Sequence, residues 1–310
     1  MENIKVSVIV LTYNHEKYIE QALDSILMQK VSFNYEILVG DDASTDATVP
    51  ILLEYKKRYP DIIKLFLNKE NVGATRNAYN LLMKAEGEYL ATCEGDDYWT
   101  DENKLQLQVD FLEKHDEFVG CSHNFTIVNE EGISLNNQKL PWVKNNKTVF
   151  TLSDFNGIYL PGQPSTYVRR NILNNIDLNM LYRVHNMIGD RTLMLLYLMR
   201  GDFAIISRNM SCYRIKKKSV TKSIYGDYTK SIFVDYEITL KLEEIALMRN
   251  INLDTTPFKK MLFAKASLLY ILSLNQNYLK ICQDLYDRNK KLSYFLSIPN
   301  YISSIFRRII

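Results

Sequence analysis

Apolar and polar positions in the first third of the chain switch between two periods. "KVSVIVLTYN" is a β-branched run without a helical repeat, so Val6–Leu11 reads as a buried strand. In "EKYIEQALDSILMQ", Tyr18, Ile19, Ala22, Leu23, Ile26 and Leu27 recur three and four apart, which is one helical face. The alternation continues. "YEILVGDD" predicts a second strand that ends in acids. "STDATVPILLEYKKRYP" opens on capping residues, turns amphipathic and stops at Pro60. "IIKLFLN" predicts a third strand. "NVGATRNAYNLLMKAEG" is a turn and a helix closed by Gly87, and "EYLATC" is a fourth strand. Strands alternating with helices predict βαβ units and a mostly parallel sheet flanked by helices, an α/β fold.

The pattern beyond is less regular. "DENKLQLQVDFLEKHDEF" carries a helical face of Leu105, Val109 and Leu112. "FVGCSHNFTIVNEEG" reads as a strand with a turn at Glu130–Gly132. Residues 133–160 are polar and irregular, and a loop or small excursion is expected there. "LPGQPSTYVRRNIL" predicts a turn, a short strand and a helix start; "GDRTLMLLYLMRGD" a helix; "FAIISRNMSCYRI" one or two strands; "KKKSVTKS" a mobile basic loop. Helical patterns run from about Tyr228 to the end, and no internal repeat interrupts them.

Composition narrows the function class. The 310 residues allow one large domain or two smaller ones, and 46% hydrophobic with 24% charged residues is ordinary for a globular protein. A net charge of +2 gives no electrostatic case for nucleic acid as a partner. Cys93, Cys121, Cys212 and Cys282 are scattered without a CxxC pair and read as reduced cytosolic thiols. The opening "MENIKVSVIVLTYN" lacks the order of a signal peptide, and no uncharged apolar run reaches the roughly 20 residues a membrane span takes. The expected location is cytoplasmic, with peripheral contact at the inner face of the plasma membrane left open. The 21 tyrosines are spread throughout, and packing accounts for them more simply than stacking on a base or sugar.

Candidate chemistry gathers where the predicted strands end. Thr12, Tyr13 and Asn14 follow the first strand, Asp41 and Asp42 the second, and Glu94, Asp96 and Asp97 the fourth. In open sheets of this kind ligands bind at the carboxyl ends of the strands. Like charges as close as those of "CEGDDYW" repel unless a cation sits among them, and oxygen ligands suit Mg²⁺ or Mn²⁺ held against a diphosphate. Helix capping is the simpler use for these acids. In "GDDAST", Asp42 either accepts from the N3–H of a uracil or caps the next helix. Arg76, at a helix start, either faces a diphosphate or is a solvated surface residue.

Taken in order, "VSVIVLTYNHEKYIEQALDSILMQ", "YEILVGDDASTDAT" and "NVGATRNAYNLLMKAEGEYLATCEGDDYWTDENKLQLQVDFLEKH" closely resemble family 2 glycosyltransferases over roughly residues 4–130. The resemblance implies the GT-A fold, a nucleoside diphosphate sugar donor (UDP-linked in the first instance), a divalent metal, and inversion at the anomeric carbon. By position it gives Thr12, Tyr13, Asn14, Asp42 and Arg76 to the nucleotide sugar. Asp96 and Asp97 match the family's DxD-type element, with Asp97 as principal metal ligand and Asp96 as metal or ribose contact. Glu94 stands at that element's first acid, where glutamate is a departure. In the second half, Ser165 and Thr166 match an acceptor-side strand, and with Trp99 they are assigned to the sugar and acceptor pocket. "MIGDRTLMLLYLMRGD" resembles the helix that begins with the catalytic carboxylate, which makes Asp190 the base. Where relatives carry Tyr-Arg-x-His this chain has "YRIK", so Lys216 replaces a histidine; an ammonium cannot ligate a metal, and Lys216 with Lys217 and Lys218 can instead clamp a diphosphate.

The implied organisation is a GT-A domain over residues 1–225, divided into a nucleotide-sugar half (1–115) and an acceptor half (116–225), with a helical region over 226–310. The implied role is transfer of one sugar onto a glycan or lipid-linked glycan in bacterial cell-surface polysaccharide synthesis. The rival is a non-catalytic nucleotide-sugar-binding scaffold of a polysaccharide-assembly complex, which the altered "YRIK" segment favours. A nicotinamide dehydrogenase is disfavoured because no GxGxxG follows the first strand. The closing "YFLSIPNYISSIFRRII" suits an interfacial membrane anchor, a helix docked on the body, or a homodimer contact.

Overall fold

The structure is a computed structural model that describes residues 3–136, 138–172, 184–217 and 227–289. The first third forms β1 (Val6–Thr12), α1 (Ile19–Leu27), β2 (Tyr35–Asp41), α2 (Thr48–Arg58), β3 (Ile63–Leu67), α3 (Ala74–Leu82) and β4 (Tyr89–Glu94) in strict alternation. β1 pairs in parallel with both β2 and β4, and β2 with β3, so the carboxyl ends of all four lie along one edge. Val6, Val8 and Val10 of β1 are fully buried against Ile19, Leu23 and Ile26 of α1. Each such side chain contributes about 1.5–3 kcal/mol by leaving water. Tyr18, at the margin of the α1 face, stands outside this core; its ring lies 4.7 Å from the Arg214 guanidinium.

The second part adds β5 (Tyr98–Trp99), α4 (Lys104–Lys114), β6 (Phe118–Val128), β7 (Val149–Phe150), α5 (Leu152–Phe155), β8 (Val168–Arg170), α6 (Asp190–Leu198) and β9 (Asp202–Arg214). The sheet order is β3-β2-β1-β4-β8-β6-β9-β5, with β7 also on β9. β8 runs antiparallel to both β4 and β6, which leaves β6 and β9 parallel to the first four strands. The parallel pattern therefore holds through β4 and becomes mixed beyond it. "FAIISRNMSCYRI" is one 13-residue strand, bulged in its pairing with β6. The irregular stretch 133–160 contains β7 and α5.

The chain divides into two compact units. The first comprises residues 1–155 and 159–217; the second takes Asn156–Ile158 and continues after Lys217. In the second, α7 (Tyr228–Met248), α8 (Thr256–Ser273) and α9 (Gln276–Asn289) build a separate core of Ile232, Phe258, Leu262, Phe263, Ile281 and Leu285. Asp227 caps α7, its carboxylate accepting from the backbone N–H groups of Thr229 and Lys230. Among the described residues no helix is long and apolar enough to cross a membrane. The expected boundary at 225/226, Lys218, the helix start after Arg170 and the closing apolar segment lie outside the described residues.

Candidate active site

β4 delivers Glu94 to the carboxyl edge, and the chain turns there, the Asp97 N–H donating to the Glu94 carbonyl at 2.9 Å. Gly95 makes the turn possible. Its N–H donates to the Leu11 carbonyl at 2.8 Å, and a Cβ at Gly95 would lie 2.9 Å from that same oxygen and from His15 Nδ1. The turn is thus drawn onto the end of β1, bringing the acids beside the Thr12–His15 loop.

The acids are not equivalent. Asp97 is 1% exposed. Its Oδ2 accepts from Ser165 Oγ at 2.7 Å and its Oδ1 from the Arg214 backbone N–H at 2.9 Å. Burial and the neighbouring Asp96 push the Asp97 carboxyl up to about 8. Burial, Asp97, Asp96 and Asp190 together push Glu94 far above the usual carboxylate range, with Lys216 opposing. At Asp96, against the upward push of burial, His15 and Lys216 hold the carboxyl below its ordinary value. Asp96 and Glu94 are partly exposed, whereas Asp97, the expected principal metal ligand, is buried beneath them. Among the described residues no group of three or more His, Cys, Asp or Glu is spaced as a complete metal cage. The donor set still fits a hard divalent ion, because such ions take one or two carboxylates beside phosphate oxygens and Asp96 and Glu94 are two partly exposed oxygen donors on one turn.

Ser165, Thr166 and Trp99 were expected along a sugar pocket. In the structure they are 0%, 0% and 1% exposed and pack beneath the acids. Ser165 Oγ accepts from the Glu94 N–H at 2.9 Å while donating to Asp97, and the Trp99 indole N–H donates to the Ser165 carbonyl at 2.9 Å. Thr166 Oγ1 donates to the Gln163 carbonyl. Their hydroxyl and indole groups are consumed in fixing the acid turn.

Two residues not singled out by the sequence complete the site. Arg214 ends β9 and ties four segments together. Its Nε donates to the Asp96 carbonyl, Nη1 to the carbonyls of Asn129 and Glu130, and Nη2 to Gln21 Oε1. The "YR" of "YRIK" was the available signal. His15 stands under Lys216, whose Nζ lies 2.6 Å from Asp96 Oδ2 and 2.9 Å from His15 Nε2. The ammonium can only donate, so in this contact His15 Nε2 is the acceptor. Burial also holds the His15 pKa down.

On the nucleotide side the loops after β1 and β2 are laced together. The Asn14 N–H donates to Ser44 Oγ and the Thr45 N–H to Asn14 Oδ1, with Asn14 and Ala43 both left-handed at φ 54° and 61°. Asn14 is therefore a loop brace. Tyr13 is 44% exposed beside it, and Thr12 is buried with its hydroxyl unpartnered among the described residues. Asp42 accepts from the N–H groups of Val72 and Gly73 and from Asn68 Nδ2, which positions the turn before α3. Arg76 is exposed in the first turn of α3, where a cation opposes the helix dipole and an anion would be welcome. The α3 start also meets the segment leading to α6: the Thr75 N–H donates to the Asn186 carbonyl at 3.0 Å, and a Cβ at Gly189 would lie 2.6 Å from Thr75 Cγ2. Asp190 opens α6 there. Its Oδ1 accepts from the Arg191 N–H at 2.8 Å, and burial raises its pKa. The Asp190 charge is among those that raise Glu94, which brings the α6 start within electrostatic reach of the β4 end.

The sequence model described as Glycosyl transferase family 2 matches residues 7–177. The chain belongs to glycosyl transferase family 2. An uncharacterized protein of Mycobacterium tuberculosis is 34% identical over 226 residues, covering 73% of this chain; the chain spans 63% of that relative's length. TarS of Staphylococcus aureus, a poly(ribitol-phosphate) beta-N-acetylglucosaminyltransferase, is 27% identical over 257 residues, 81% of this chain and 41% of TarS. The crystal structure of TarS 1–349 in complex with UDP-GlcNAc superposes with a TM-score of 0.59 at 21% identity, covering 97% of this chain and 79% of that one. A mannosyltransferase of Pyrobaculum calidifontis, in complex with GDP-Man and Mn²⁺, has a TM-score of 0.52 at 17% identity, covering 97% and 80%. These neighbours establish the family's fold, the mixed sheet flanked by helices, for this member.

Proposed function

We propose that this family 2 member is an inverting glycosyltransferase. It moves one sugar from a nucleoside diphosphate donor, UDP-linked by analogy with the TarS complex, to a glycan in cell-surface polysaccharide synthesis. The observation that carries the reading is the half-buried Asp190 carboxylate at the start of α6, close enough to the end of β4 that its charge raises the proton affinity of Glu94. Asp190 takes the proton of the acceptor hydroxyl. The freed oxygen attacks the anomeric carbon from the face opposite the diphosphate, the new C–O bond forming as the bond to phosphate breaks. Asp42 and Tyr13 serve the base, Arg76 and Lys216 the departing charge.

Asp96, with Glu94, would hold Mg²⁺ or Mn²⁺, which when bound offsets the charge of the leaving diphosphate. Asp97 acts from beneath by holding the turn to Ser165 and Arg214. Four free, buried cysteines suit a cytoplasmic setting, where nucleotide sugars are available. The scaffold reading keeps one specific support, the Lys216–Asp96 ion pair at the position a cation would use.

Asp190→Asn tests the choice. Transfer should fall about 10²–10⁴-fold while UDP affinity stays within about twofold of the parent. Full activity in that variant removes Asp190 from the mechanism. A parent chain with no UDP-sugar hydrolysis or transfer in Mn²⁺ leaves the scaffold.

A further inference from the structure

A polar cavity opens on the acceptor half of the first unit. It has a volume of about 610 Å³, within the roughly 300–1,000 Å³ of small-molecule sites. Residues 134–136 and 138–146 form one wall, and Phe125–Ile127 of β6 with Asn209 of β9 the other. We propose that this groove binds an anionic polyhydroxylated chain, the acceptor; the proposal rests on the transferase reading for the word acceptor, but not for the binding itself.

The sheet is irregular where the groove lies. Register runs from His123 opposite Ile206 to Asn124 opposite Asn209, so β9 carries two extra residues, Ser207 and Arg208. Such bulges bend a strand and re-aim its side chains, and here Asn209 lines the groove. Asn124 Oδ1 accepts from Asn145 Nδ2 at 3.0 Å, which ties the loop wall to the bulge. The loop's approach is fixed as well: the Leu135 N–H donates to the Ile127 carbonyl, and Asn129 Oδ1 accepts from the N–H groups of Glu131 and Ile133.

The lining has a specific chemistry. Asn136, Gln138, Asn145 and Asn209 each offer a donor and an acceptor, the pairing a sugar or polyol hydroxyl needs. Lys139 and Lys144 stand in the same wall, and among the described residues no carboxylate lines the groove. Lys139 is exposed; Lys144 is seated 3.8 Å from the Tyr159 ring centroid. Ammonium groups beside amides select hydroxylated chains that carry phosphate or carboxylate groups. Phe125 and Leu140 give the C–H faces of such a chain an apolar floor.

The β6 wall of the groove lies two strands from the acid turn. Thr126, in its lining, pairs with Cys212, and Cys212 pairs with Tyr98, the residue after Asp97. Two strand spacings separate Thr126 from Tyr98, about 10 Å. Arg214 bridges the remaining span, bonding Asp96 and Asp97 on one side and the Asn129–Glu130 carbonyls before the loop on the other. A chain lying in the groove would run its end toward Glu94 and Asp190.

The test titrates the full chain with a glycerol phosphate oligomer, an oligogalacturonate and a neutral maltooligosaccharide of equal length, by calorimetry, without donor. At least one anionic oligomer should bind at least tenfold tighter than the neutral one. Lys139→Glu, an exposed change that leaves folding intact, and Asn209→Leu should each weaken it at least fivefold. UDP-sugar hydrolysis without acceptor should stay at the parent level in both. Phosphate and carboxylate chains binding unequally tells which anion the lysines read. If no oligomer binds, if the neutral chain binds as well as the charged ones, or if neither variant changes affinity, the groove is not this site. If binding behaves as stated and no hydrolysis or transfer is ever seen, the transferase reading fails and the groove stands.

Discussion

Lys104 opens α4, is 0% exposed, and its Nζ has no hydrogen-bond partner among the described residues. The indole of Trp99 lies 4.0 Å away and favours the ammonium, but burial dominates and brings the pKa down to about 7. An unfolded lysine titrates near 10.4. Between about pH 7 and 10 the unfolded chain therefore holds a proton that the folded chain has released, and stability rises with pH across that window. Below about pH 7 both states are charged and the full cost of the buried ammonium remains. Lys104→Met should stabilise the protein by about 1–3 kcal/mol at pH 6, with the advantage shrinking toward pH 9. Urea unfolding at pH 6, 7.5 and 9 measures it; a variant less stable than the parent, or an advantage that grows with pH, contradicts the account. Nothing in "DENKLQLQ" distinguishes this lysine from a solvated one, because helical spacing does not say which polar residue the fold encloses. The same limit applied to Ser165 and Trp99, whose positions were legible and whose burial was not.

At the scale of elements, the β4 turn depends on β1 and β4 approaching closely in parallel, with Leu11 beside Glu94. A methyl at Gly95 would meet the Leu11 carbonyl and His15 Nδ1, both at 2.9 Å, and the backbone oxygen cannot move without breaking the ladder. Gly95→Ala should cost about 1–3 kcal/mol of stability and weaken UDP binding in Mn²⁺ at least fivefold. Thermal unfolding and calorimetry read the two effects; unchanged nucleotide affinity would detach the turn from the donor site. The acids themselves were visible in the sequence because they end an apolar run, and β1 to β4 were visible because buried parallel strands lose polar alternation. Beyond β4 the signal weakens for physical reasons. β5 and β7 are two residues long and are defined by their pairing with β9 rather than by local preference. The β9 bulge shows in no periodicity, since register is a property of two strands. Arg214 and His15 act through contacts with residues far away in sequence, which spacing cannot register.

Among the described residues two cores stand apart, one built around β1, β2, β4, α1 and α4, the other from the last three described helices. Every residue of the candidate site, from Thr12 to Lys216, belongs to the first unit. A ligand that binds only folded protein stabilises what it binds by RT ln(1 + [L]/Kd), about 2.7 kcal/mol at a hundredfold excess over Kd. For a unit of this size that corresponds to about 5–10 °C in melting temperature. The chain's two tryptophans, Trp99 and Trp142, both lie in the first unit, whereas the helical circular dichroism signal draws on both units. Trp99 is packed directly beneath the acid turn, so its emission follows the melting of the site itself. UDP with Mn²⁺ should therefore move the tryptophan-detected melt upward by about 5–10 °C and leave a portion of the helical melt where it was. A helical transition that shifts while the tryptophan melt stays fixed would place the nucleotide on the second unit, and the acid cluster would need another explanation.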